Sequence, residues 1–185
     1  MRGIYGGLDL AASRRRASAV ALVSEGLVEF VEPSADDEIV TALSSASVVA
    51  IDSPLTPPPP RGHRAVDRLM IRMGYRVLPA SWPSMRSLYE RASRLAGALR
   101  AIGVTVVETH PSSAMRAGGC RDHKELAEAL GLRLAREPSS RDEVDSLVAA
   151  AVAMAYAAGR ALRVVGPDGE VFLLGPTCGN LIRGR

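Results

Sequence analysis

Two short runs, VVAID (residues 48–52) and VTVVETHP (residues 104–111), limit the folds open to this 185-residue chain. In each run apolar residues follow one another without alternation, the pattern of a strand covered on both faces. Such strands lie inside a sheet with packed layers on either side. Between them, Met85, Leu88, Ala92, Leu95, Leu99 and Ile102 recur at three- and four-residue steps, the stripe of an amphipathic helix that ends at Gly103. Each strand also ends in an acid, Asp52 or Glu108, shortly before a proline. A carboxylate buried without a partner is costly, so each acid must find a counter-charge, a metal or a cleft.

The other elements fall into place around this pair. GIYGGLDLA from Gly3 reads as a first strand; ASAVALVS from Ala17 and LVEFVEP from Leu27 read as a second and third, joined by a turn at Glu25-Gly26. A short helix is expected from Ala35 to Leu43, another from Ala65 to Gly74, and one or two more between residues 111 and 138. SSRDEVDSLVAAAVAMAYAAG from Ser139 predicts the last long helix, with Ser140 and Glu143 as an S-x-x-E capping box. Its alanines allow close packing on a sheet. Three strands followed by strands alternating with helices imply a mixed sheet with helices packed on it, in one domain covering residues 1–185.

Charge and composition narrow the chemistry only partly. The net charge of +3 is compatible with a polyanionic partner. Lys124 is the only lysine, Asn180 the only asparagine, and glutamine is absent, a bias that fits genomic base composition or growth at high temperature. With so few amides to read adenine edges, any nucleic acid would be recognised through shape and phosphate. Cys120 and Cys178 make no disulfide framework and no C-x-x-C pair, which points to a reducing cytoplasm. No signal-peptide pattern opens the chain, and the apolar stretch from Leu147 is shorter than the roughly 20 residues that span a bilayer. No membrane association is expected.

The acids form the most informative constellation. Asp9 lies inside the first strand, where aspartate is disfavoured, and Gly7 leaves room on the same face. Asp142 and Asp145, three residues apart near the start of the last helix, share a face. Taken alone, Asp142 also suits the helix dipole and Asp52 also suits a turn before Ser-Pro. Strand ends in such a sheet converge on one edge, and carboxylates crowded at about 5 Å repel by on the order of 3 kcal/mol per pair. Divalent cations remove that repulsion, and oxygen-only ligands suit Mg²⁺ or Mn²⁺ better than zinc. Two such ions can activate a water and stabilise the leaving oxygen of a phosphodiester.

At this point the sequence resembles a known family. GLDLA, AIDSPLTPP, the stretch from Asp67 to Pro111 and RDEVDSLVAAAVA, in that order, look like the predicted RNase H-like nuclease family known as domain of unknown function 429. The resemblance implies an RNase H-like α/β fold: a mixed five-stranded sheet, three strands antiparallel and two parallel, with helices on both faces. It implies a metal-dependent nuclease cleaving DNA or RNA, with Asp9, Asp52, Glu108 and Asp145 catalytic and the same four plus Asp142 holding Mg²⁺ or Mn²⁺. The Asp142/Asp145 pair also resembles the helical acids of RuvC-type junction resolvases. Ser146 stands where alanine is usual in the family.

Other signals are weaker. Arg14, Arg15 and Arg16 are either a solvated turn or a phosphate clamp, and Arg64 either lines the substrate path or belongs to a surface ion-pair face. Trp82, between prolines, suits packing better than base stacking; His63, His110 and His123 lack zinc spacing, though His110 is near enough to Glu108 to shuttle a proton. The competing readings are a non-catalytic nucleic-acid-binding or scaffold protein of the same fold, and an actin-like phosphotransferase. GLDLAAS lacks the phosphate-cradling glycines and threonines of the latter. Oligomeric state is open, a homodimer included.

Overall fold

A computed structural model describes residues 3–12 and 17–179. The elements are, in order, β1 (Ile4–Asp9), β2 (Ala19–Ser24), β3 (Leu27–Val31), α1 (Asp36–Leu43), β4 (Val48–Asp52), α2 (Ala65–Arg72), α3 (Pro83–Ala101), β5 (Thr105–Thr109), α4 (Pro111–Gly118), α5 (His123–Leu130), β6 (Arg133–Leu134), α6 (Arg141–Ala157), β7 (Leu162–Gly166) and β8 (Gly169–Leu173). One sheet holds all eight strands in the order β6-β3-β2-β1-β4-β5-β8-β7. At its centre β1, β2 and β3 run antiparallel, and β4 and β5 continue parallel to β1. This is the RNase H-like arrangement expected from the sequence.

The sheet has three strands more than expected. β6 is a two-residue edge against β3, too short to carry a pattern. β7 and β8 form a hairpin around Pro167-Asp168 that joins β5 at Thr109↔Phe172. Here a signal was present: RVVGPDGEVF is two strand-forming runs around a turn, and it lies beyond the last helix, where the five-strand pattern stops.

Side chains alternate between two cores. On one face Leu8, Val20, Val49, Ile51 and Val106 meet α1 and α3 through Ile39, Leu43, Leu95 and Leu99. On the other, Ala21, Ala50 and Val107 meet α6, with Val66 and Met70 of α2 beside them. The second face contains a very close helix–strand contact. Gly7 pairs with Ala21 on one side and Ala50 on the other, giving a row of small residues across three strands. A Cβ at Gly7 would overlap the backbone of Ser146 and Ala150, so α6 lies directly on the β1 main chain.

The cap of α6 differs in one bond from the predicted box. Ser140 Oγ accepts the Glu143 N–H at 3.1 Å, but the Glu143 carboxylate reaches one residue further back, to the Ser139 N–H at 2.6 Å, and takes Arg136 as its ion partner. Asp168, in the β7–β8 turn, accepts the N–H groups of both Ala65 and Val66 and so caps α2 across about a hundred residues of chain.

The cysteines overturn a sequence expectation. Cys120, just after α4, and Cys178, after β8, form a disulfide with Cα atoms 4.9 Å apart. A separation of 58 residues carries no hint of the pairing. The chain brings them together because the N–H groups of Thr177 and Cys178 both donate to the Gly118 carbonyl. Stable disulfides are rare in reducing compartments outside hyperthermophiles, so the cysteines no longer support a cytoplasmic setting. Among the described residues no helix is long and apolar enough to cross a membrane.

Two stability predictions follow from the caps. Asp168→Ala should cost about 1–2 kcal/mol, the scale of a lost N-cap, read as a lower denaturant midpoint at unchanged slope. Glu143 is fully buried, and its carboxyl is held down at about 2, chiefly by Arg136; burial opposes this, and the Ser139 N–H and hydroxyl assist. A carboxyl whose folded value lies below its ordinary 4.5 stabilises the fold above that pH and loses the contribution as pH falls toward 2. Glu143→Gln should therefore melt below the parent at neutral pH, and the gap should close between about pH 4.5 and 2; a gap constant across that window would refute the linkage.

Candidate functional site

β1 and β4 end side by side. Asp9 and Asp52 are register partners in the parallel pair, so both carboxylates leave the same face of the sheet, the face covered by α6. Gly7 sets this placement, because it shares its face with Asp9 two residues on and lets α6 come down close to the strand. Asp145 is in the second turn of α6, and its charge reaches Asp52. Asp52 is pushed well above its ordinary value, first by the water it loses on burial and then by the charges of Asp9, Asp145 and Glu108; only Arg141 pulls the other way. Arg141 Nε donates to Asp145 Oδ2 at 2.9 Å from an exposed position. Asp142 is partly buried in the first turn of the same helix.

Glu108 takes a different course. It pairs with Ile51 rather than Asp52, one residue out of step with the acid row, so its Cβ starts from the opposite face. Its carboxylate is 5% exposed and is gripped by Arg64 through both Nη atoms, while Oε2 also accepts the Leu55 N–H at 2.7 Å. Burial nevertheless wins over Arg64 and holds the Glu108 carboxyl above its ordinary value.

Arg64 had been expected to bind substrate or to sit in a surface ion-pair face. It is instead 3% exposed, and its guanidinium is matched throughout by protein groups: Nε to Asp67, Nη1 to Thr56 Oγ1 and Glu108, Nη2 to Asp67 and Glu108. All five of its N–H groups are accounted for. The i,i+3 spacing to Asp67 was visible in the sequence; the burial of the pair under the β4–α2 connection was not. That connection, the proline run, is tied to α3 by Arg86, which donates to the carbonyls of Pro59 and Pro60.

These groups line a cleft of about 180 Å³ containing Asp9, Asp52, Arg64, Asp67, Glu108 and His110. His110 Nδ1 pairs with Ser113 Oγ at 2.7 Å; burial lowers its basicity, and the charges of Asp145 and Asp67 resist that only in part. His63 and His123 lie elsewhere, the first on the Val77 carbonyl and the second beside Glu137. Trp82, expected to pack, is 49% exposed at the start of α3. Arg14, Arg15 and Arg16 lie outside the described residues. Sequence reasoning named Asp67 beside Arg64 but missed Asp168 and Arg141. Arg141 alone carried a readable signal, four residues before Asp145 on one helix face.

Among the described residues no three His, Cys, Asp or Glu side chains are drawn together tightly enough to hold a metal ion as they stand. The chemistry of the donors nevertheless suits a hard divalent cation. Asp9, Asp52 and Asp145 are all oxygen donors of like charge, each partly buried, and the charges of the other two act on Asp52.

Comparison with known proteins finds no matching family model and no matching curated protein. Among solved structures the fold is similar to that of Thermus thermophilus RuvC in complex with a Holliday junction substrate, at 15% identity and a TM-score of 0.49, over 91% of this chain and 99% of that one. A second T. thermophilus RuvC structure gives 15% identity and a TM-score of 0.46, over 84% and 96%. At this distance the likeness says nothing of chemistry.

The crowding of Asp52 gives a thermodynamic signature. With metal withheld, Asp52→Asn removes a repelled carboxylate and should raise stability by about 1 kcal/mol, well below the bare Coulomb figure because the cleft is partly solvated. Millimolar Mg²⁺ or Mn²⁺ should stabilise the parent more than the variant, because only the folded parent carries the full carboxylate set. The expected result is a crossing: the variant melts higher in EDTA and loses its lead in divalent ion. Parallel melting shifts would remove Asp52 from the site.

Proposed function

We propose that this chain is a metal-dependent nuclease that hydrolyses phosphodiester bonds in DNA or RNA, a member of the family known as domain of unknown function 429. The observation that carries this reading is the register pairing of Asp9 with Asp52 beneath Asp145; Asp52 is raised first by burial and then by the charges of the other two. In the proposal Asp9, Asp52 and Asp145 hold Mg²⁺ or Mn²⁺, with Asp142 completing a second position. Bound there, the ions would supply a water activated for attack and neutralise charge on the leaving oxygen.

The chain's own residues supply the rest. Glu108 serves as a strut, locking Arg64 and the Leu55 N–H so that the proline run leaves the cleft in one direction. His110, kept largely neutral by burial and oriented by Ser113, can accept or return a proton at the cleft wall. Arg14, Arg15 and Arg16, in the connection after Asp9, contact phosphates. One observation favours the non-catalytic reading: Arg141 already offsets the charge of Asp145, which lowers the demand for a cation.

The test is cleavage of a panel of labelled single-stranded, duplex and branched DNA and RNA, with manganese and with EDTA. The parent should cut at least one substrate in manganese alone, and Asp9→Asn should abolish cutting with an unchanged circular dichroism spectrum. Full divalent-dependent activity in a purified, folded Asp9→Asn protein would rule out the mechanism.

A further inference from the structure

The cleft is not lined by acids alone. Met70, Val77, Leu78, Met85 and Leu88, from α2, α3 and the loop between them, give it an apolar wall. Leu78 stands at the mouth, 54% exposed, on a loop that is firmly anchored to the segment after the prolines. The Val77 carbonyl meets His63 Nε2 at 3.2 Å, the Ser81 N–H donates to the Gly62 carbonyl at 3.1 Å, and Ser81 Oγ accepts the Gly62 N–H at 2.8 Å. A large apolar side chain held out into solvent by an anchored loop, beside a row of carboxylates, is unexplained by packing.

Resting on the nuclease reading above, we infer that this wall is a slot for one unstacked nucleobase, the base belonging to the nucleotide whose phosphate meets the acids. Three observations converge. The whole cleft, acids included, is about 180 Å³, smaller than the roughly 300–1,000 Å³ of sites that enclose drug-sized ligands, so the part beside the acids admits nothing larger than a single base. The wall is apolar and fixed, which suits the face of a base. Polar side chains around it are already engaged: Ser53 Oγ with the Pro54 carbonyl, Thr109 Oγ1 with the Phe172 carbonyl, Arg64 with its acids, and His110 through Nδ1 with Ser113 Oγ, its other nitrogen being given to the proton role above. A base in the slot is therefore held by its face and not read at its edges, and binding is indifferent to sequence. Bases inside a duplex are stacked and cannot enter without being extruded, so the favoured ligand is a single strand, a frayed end or a flap.

The test is equilibrium binding, with calcium in place of magnesium to hold back cleavage. The probes are a short end-labelled oligothymidylate, an abasic oligomer with the same number of phosphates, and a hairpin duplex, read by fluorescence anisotropy. Oligothymidylate should bind roughly tenfold tighter than the abasic chain, with oligomers of the other bases within a few-fold of it. Because Leu78 is exposed, its variants should fold. Leu78→Ala should remove most of the advantage over the abasic chain, and Leu78→Phe, with an aromatic face, should widen it; both should leave abasic affinity where it was. Equal affinity for oligothymidylate and the abasic chain overturns the slot while leaving the nuclease reading intact. A strong preference for one base, or for the hairpin, also overturns it. Failure of all three probes to bind would count against the nuclease reading itself, and the slot would fall with it.

Discussion

The contact between α6 and the β1 main chain at Gly7 fixes the rest of the molecule. With any side chain at that position the helix would have to lift, because its own backbone occupies the space a Cβ needs. Seated there, α6 covers the small row Ala21–Gly7–Ala50 with its alanines, of which Ala149, Ala150, Ala151 and Ala153 are fully buried. Close packing of this kind leaves no slack, since an interior at native density passes on a displacement instead of absorbing it. The height of α6 above the sheet therefore also sets how near Asp145 comes to Asp9 and Asp52. Ser140, Glu143 and Arg136 fix where the helix begins, and so where Asp142 and Asp145 fall along it.

The cleft handles its buried acids in two ways. On the α2 side, Asp67 and Glu108 share Arg64, and each carboxylate oxygen is answered by a guanidinium or backbone N–H. Replacing one member of such a cluster leaves an uncompensated charge, which is why buried ion pairs are costly to break even where they add little net stability. On the α6 side, Asp9, Asp52 and Asp145 are brought within reach of one another, and the one cation shown to act on all three, Arg141, is largely exposed. Arg64 answers its acids from within the core, whereas Arg141 acts on Asp9, Asp52 and Asp145 from an exposed position.

Much of this was readable in the chain before any coordinates. The five central strands, the long helices and the acids at Asp9, Asp52 and Asp145 follow from periodicity and from carboxylates standing where carboxylates are disfavoured. Glu108 shows where such reading stops. VVAID and TVVET both end near an acid, but the register aligns Val48 with Thr105, which sets Glu108 opposite Ile51 and Thr109 opposite Asp52. A single residue of register moves a side chain to the other face of a sheet, and nothing local in either strand announces it. Arg64 and the two cysteines were opaque for a related reason. Their partners lie 44 and 58 residues away, and only the assembled sheet brings them together.

The strands beyond the five-strand core are not peripheral to the cleft. The β7–β8 turn carries Asp168 to the first turn of α2, and Gly166 lies so close that a Cβ there would come within 2.7 Å of the Val66 nitrogen. Gly169, at the other end of the turn, abuts Thr56, the residue whose hydroxyl accepts from Arg64. The hairpin thus presses on the helix and on the loop between which Arg64 is buried. Its far end is held in turn, since the chain leaving β8 is fastened to α4 through the Gly118 carbonyl and the Cys120–Cys178 bond. A proline-rich loop with few hydrogen bonds of its own would otherwise sample many positions beside the acids. Braced from both sides, it holds one wall of the cleft in a fixed place, and a pre-formed wall spares a ligand the entropy of ordering it.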